Sequence, residues 1–131
     1  MKSILFLLLN IYLLNAQIVI VTNKNSQINS IPKELVQYVY LGKIDKLKEI
    51  KVKALLSDDE TLHQDFCKEI LCKSESQYNS YWTRLVFTGK KPIHKKLEFK
   101  EIVQKLQELN TIAYIKREDL QSEWKVIYEQ D

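Results

Sequence analysis

The chain has 131 residues, enough for one domain around a single core and too few to require two. Its 20 Lys and Arg stand against 17 Asp and Glu, and the lysines are scattered rather than striped, which excludes the strongly basic face of a nucleic-acid binder. No Ser-His-Asp order, nucleophile elbow, glycine-rich phosphate loop or metal-ligand motif occurs, so no enzyme, cofactor or bound metal is expected.

Met1-Lys2 is a short basic start, Ile4 to Leu14 is almost wholly apolar, and Ala16 is a small residue at the end of the stretch. That is the layout of a secretory signal peptide cleaved near Ala16, and its apolar run is too short to cross a bilayer about 30 Å thick. The reading is therefore a signal peptide over 1–16 and one domain over 17–131, secreted into the periplasm, with a mature form that does not span the membrane.

Gln17 to Thr22 is rich in Ile and Val, as in a strand buried on both faces, and Asn23 to Asn29 is a polar turn. Ser30 is placed to cap a helix with Pro32 in its first turn, Leu35, Val36, Val39 and Tyr40 at helical spacing, and Gly42 at its end. Ile50 to Leu56 reads as a strand. Ser57 and Glu60 make the S-x-x-E pattern of a capping box, opening a helix to about Leu71 with Leu62, Phe66, Cys67 and Ile70 on one face. Ser74 and Gln77 repeat the pattern before Tyr78, Tyr81, Trp82 and Leu85, and Gly89 stops that helix near a basic loop with Pro92. Phe99, Ile102, Val103, Leu106 and Leu109 give another amphipathic helix, followed by short strands at Thr111 to Ile115 and Trp124 to Tyr128. The order predicts an α/β domain with a mostly parallel or mixed sheet and helices on both faces.

Ser57-Asp58-Asp59-Glu60-Thr61 lies where a strand turns into a helix N-terminus, a ready-made place for an anion. The helix dipole presents about half an elementary charge there, which three carboxylates largely satisfy. Asp59, Glu60 and His63 share a helix face and are weighed as a metal site, but acidic residues favour helix N-termini anyway and His63 is expected to be exposed. His94 is read as a surface residue, Tyr81 and Trp82 as core, and Arg84 as pairing with a carboxylate or holding the next loop. Lys90, Lys91, Lys95, Lys96 and Lys100 form the densest basic group, read as a solvated face rather than a patch for an acidic partner. Cys67 and Cys72 would lie about 8 to 9 Å apart on a continuous helix, beyond the usual limit of about 7 Å, so a disulfide needs the helix to break; a buried Cys67 thiol is favoured.

Leu41-Gly42-Lys43-Ile44, the helix end Phe66-Cys67-Lys68-Glu69-Ile70-Leu71, the run from Tyr81 to Lys90 and Ile112-Ala113-Tyr114-Ile115 resemble, in order and spacing, the phosphate-type periplasmic substrate-binding proteins of ABC transporters, particularly short single-domain relatives. The resemblance spans most of residues 17 to 128. It implies a class II periplasmic-binding-protein-like fold and, at this length, a single three-layer α/β lobe rather than the two lobes that clamp an oxyanion. In that family the turn carries a Gly-Ser-Gly-Thr type sequence with an arginine upstream; here Asp58, Asp59, Glu60 and Thr61 take those places and Leu55 falls where the arginine would. Only Thr61 carries over, and Ala113 stands where the family's strand has glycine. Ser57, Asp58 and Thr61 are the candidate ligand residues, with phosphate or a similar oxyanion as candidate ligand. The expectation is an exported solute-binding-protein-like domain related to the phosphate-binding component of ABC transporters, with an altered or absent oxyanion site. The alternatives are an envelope module that contacts a membrane or signalling protein and binds no small solute, and a cation-binding module using Asp58, Asp59 and Glu60.

Overall fold

A computed structural model describes residues 17–91 and 94–130; the expected signal peptide and Pro92 lie outside them. The first strand, β1 (Ile18–Asn23), alternates its side chains between two apolar clusters. Helix α1 (Lys33–Tyr40) follows, then a hairpin of β2 (Lys46–Leu47) and β3 (Ile50–Lys51). Strand β4 (Lys53–Ser57) leads into α2 (Glu60–Phe66), which widens at its end into a π turn at Cys67–Leu71. Helix α3 (Glu75–Phe87), strand β5 (Lys96–Leu97), helix α4 (Phe99–Lys105), strand β6 (Thr111–Lys116), a short 3-10 turn at Arg117–Asp119 and strand β7 (Trp124–Glu129) complete the chain.

The main sheet has the order β5-β4-β6-β1-β7. β4 runs parallel to β5 and β6, while β1 is antiparallel to both of its neighbours, so β1 alone runs against the other four strands. Ile18, Ile20, Leu56, Ile112 and Tyr114 point to the face covered by α1, α2 and α3. Val19, Val21, Leu55, Ala113 and Ile115 point to the other, where Ile102 and Leu106 of the α4 segment cover them. This strict alternation across strands apolar on both sides makes three layers, as the runs of Ile and Val predict.

The aromatic run on α3 is core. The Tyr78 hydroxyl and the Trp82 indole N–H both donate to the Tyr40 carbonyl, at 2.8 and 3.1 Å, and the Tyr81 hydroxyl donates to the Leu41 carbonyl at 2.7 Å. These are carbonyls at the C-terminus of α1, which have no partner within their own helix. Gly42 ends α1 at φ +70, and a Cβ there would lie 3.1 Å from the Trp82 ring. The outer edge of β7 is partly closed by the 24–31 segment, where the Ile31 N–H donates to the Ile127 carbonyl and the Lys125 ammonium to the Ser26 carbonyl.

Four local expectations are corrected. Pro32, not Ser30, stands at the start of α1, with no side-chain cap. The run Ile50 to Leu56 divides at Val52 into β3, which pairs with β2 across a two-residue turn where Lys48 and Glu49 adopt positive φ, and β4, which joins the main sheet. Helix α4 ends at Lys105, leaving Leu109 half exposed beyond it. Strand β5, two residues long, lies where the sequence reads as a basic loop. The Ser74 and Gln77 capping box is present.

Candidate functional site at the β4–α2 turn

Ser57 ends β4 with its side chain buried, and its hydroxyl accepts the Asp59 N–H at 3.1 Å. Asp59, not Ser57, caps α2: its carboxylate accepts the Leu62 N–H at 3.1 Å, and no Ser57–Glu60 capping box forms. The spacing explains the outcome, since an Asp immediately before the first helical residue reaches the third N–H of the helix directly. Asp58, Glu60 and Thr61 are exposed.

The backbone donors of this turn are mostly engaged within the protein. Ser57 N–H donates to the Tyr114 hydroxyl, Asp58 N–H to the Leu97 carbonyl, Asp59 N–H to Ser57 and Leu62 N–H to Asp59, while His63 N–H closes the first helical bond on the Asp59 carbonyl. The Lys116 ammonium, on the last residue of β6, lies 3.4 Å from the second Asp59 oxygen. The Leu62 N–H, and then Lys116, hold the Asp59 carboxyl below the usual range against a desolvation cost. The turn borders a depression of about 340 Å³ reached by Ser57, Asp58, Asp59, Tyr114 and Lys116. Its carboxylates and its engaged N–H groups face any ligand entering it. Among the described residues, no group of three His, Cys, Asp or Glu can hold a metal ion.

His63 is buried, contrary to the exposed position expected of it. The amphipathic pattern that placed Leu62 and Phe66 inside carries His63 in with them. Its Nδ1 lies 2.6 Å from the Tyr114 hydroxyl, and its Nε2 3.7 Å from the Cys67 sulfur. Since the Tyr114 oxygen already accepts the Ser57 N–H, the arrangement that uses every group has Tyr114 donating to Nδ1, with the imidazole proton on Nε2. Burial, followed by the positive charge of Lys96, lowers the His63 pKa. Burial pushes the Cys67 thiol up to about 11, so the sulfur beside this imidazole stays protonated near neutrality and is no activated nucleophile. Tyr114 also stacks on Phe66, with ring centroids 3.8 Å apart. Sequence reading gave Tyr114 no role beyond its strand, because its contacts are 51 and 57 residues away in the chain.

The remaining candidates lie elsewhere. Cys67 and Cys72 are free thiols, the first buried and the second exposed after the π turn. His94 is exposed, with one side of its ring tilted at 30° against Trp82, the centroids 4.3 Å apart. Arg84 is exposed and forms no ion pair among the described residues. No helix among the described residues is long and apolar enough to cross a membrane.

No protein-family model matches the chain, and no curated protein is significantly similar to it. Solved structures do resemble it. A putative phosphate ABC transporter substrate-binding protein from Clostridium perfringens, with bound phosphate, superimposes with a TM-score of 0.61 at 15% identity, over 86% of this chain and 45% of that one. An ABC-type phosphate transport receptor from Vibrio cholerae gives the same TM-score at 13% identity, over 86% of this chain and 46% of its own. The chain thus spans less than half the length of either neighbour. At this identity the likeness is one of fold: the mixed α/β architecture of the chain matches part of each of these two neighbours.

Proposed function

We propose that this chain is an exported solute-binding-protein-like domain in which the β4–α2 turn, a phosphate cradle in the family it resembles, is closed to oxyanions. The observation that carries the reading is Asp59, whose carboxylate accepts the Leu62 N–H that an anion at the α2 N-terminus would otherwise take. An incoming phosphate would have to displace that carboxylate, separate it from Lys116 and approach Asp58 and Glu60 as like charges. Ser57 supports the same reading, because its hydroxyl is buried and already bonded to the Asp59 N–H. Export is supported by the basic start, apolar run and small residue of positions 1–16.

A thermal-shift series tests the closed turn, because a ligand that binds only the folded state raises its stability with concentration. Millimolar phosphate or sulfate, compared with chloride at equal ionic strength, is expected to leave Tm unchanged. A phosphate-specific rise that disappears in Thr61→Ala contradicts the reading.

A further inference from the structure

A second concavity, of about 350 Å³, opens between α3 and β5, on the other side of His63 from the anion turn, and its walls are of a different kind. Tyr78 and Trp82 form its apolar floor, Val86 and Phe87 one rim, and His94 and Lys96 the other. Phe87 is 87% exposed, against 50% for Leu109, the next most exposed large apolar side chain among the described residues. An aromatic ring left so far in water at the mouth of an aromatic-floored cavity has apolar surface to bury on a ligand.

The His94 imidazole already lies against the Trp82 ring at 4.3 Å with an interplanar angle of 30°, so the cavity offers a ligand the indole surface beyond that contact. The opposite rim is cationic. Lys96 bonds Glu75 at 3.1 Å, which engages one of the three ammonium donors and leaves two for a ligand. Partial desolvation against Trp82, and then the charge of Lys91, lower the His94 pKa, so the positive charge of the rim rests with Lys96. Among the described residues, Glu75 is the one carboxylate paired with this rim, and Lys96 neutralises it.

We propose that the cavity between α3 and β5 binds a small aromatic anion, its ring against Phe87 and the part of Trp82 that His94 leaves uncovered, and its charged group at Lys96. The volume falls within the range of small-molecule sites, about 300 to 1,000 Å³. The ring accounts for the exposed Phe87, and the anion for Lys96 on the rim. This site is separate from the β4–α2 turn and does not depend on that turn being closed.

Trp82 fluorescence reads the site directly, recorded in Trp124→Phe, which leaves Trp82 as the sole tryptophan, and alongside it in the unaltered protein. Benzoate is the probe, with benzamide as its neutral isostere and acetate as the anion without a ring. The expected result is a saturable change with benzoate, binding about tenfold weaker for benzamide, and no response to acetate. Phe87→Ser, at an exposed position that the fold does not need, is expected to weaken benzoate several-fold while leaving the urea midpoint in place. No saturable response to benzoate in either protein overturns the proposal. So does equal binding of benzamide, or benzoate binding unchanged by Phe87→Ser.

Discussion

Asp59 accepts the Leu62 N–H, meets Lys116 and stands where an anion would dock on α2. Asp59→Ala is expected to cost about 1 kcal/mol in urea unfolding, the usual value of a lost N-cap. Glu60→Ala, at an exposed position with no capping role, should stay within about 0.5 kcal/mol. Equal losses at the two positions would return the cap to the Ser57–Glu60 pattern. The hydroxyl of Tyr114 is the hinge of the buried network. Tyr114→Phe leaves the Ser57 N–H and His63 Nδ1 buried without their shared partner, and should cost about 1 to 3 kcal/mol in the same assay. His63 adds a pH dependence. Its folded pKa lies below the 6.5 of the free side chain, so the unfolded chain binds more protons in that window. The stability tied to neutral His63 is present above about pH 6.5 and is lost as the pH falls through the lower folded value. The urea midpoint should therefore drop on acidification, and less so in His63→Gln. Measuring both in a His94→Gln background removes the parallel contribution of His94, whose pKa is lowered as well.

At the scale of elements, the strongest local signals were legible. The Ser74–Gln77 box, the glycine after α1 and the apolar pattern of β1 and β6 all hold in the fold. What escaped was set by partners distant in sequence. β5 is two residues long and exists as a strand because β4 lies beside it. The hairpin turn at Lys48 and Glu49 carries positive φ without glycine, asparagine or aspartate to announce it. At the candidate site the strand-turn-helix and its acidic filling were readable, whereas the capping residue and the burial of His63 required Leu62, Lys116 and Tyr114 to be in place. The two glycines separate local from tertiary constraint. Gly42 and Gly89 both have positive φ, but a Cβ at Gly42 would press on Trp82 while one at Gly89 would meet nothing within 4 Å. Both alanine substitutions carry the left-handed cost of about 1 to 2 kcal/mol. Gly42→Ala should exceed Gly89→Ala in urea unfolding, because the tightly packed indole must also move.

At the scale of the molecule, concavities of opposite character flank the main sheet, an acidic one at the end of β4 and an aromatic one with Lys96 on its rim beside α3. The resemblance in four short segments anticipated the fold shared with the phosphate-binding neighbours, although identity with them is only 13 to 15%. On the reading proposed above, fold and site part company at the β4–α2 turn, where an incoming anion would meet Asp58, Asp59 and Glu60. Calorimetric titration of the protein with inorganic phosphate near neutral pH tests this most directly. The account predicts no binding heat at millimolar phosphate; saturable heat that is lost in Thr61→Ala would contradict it.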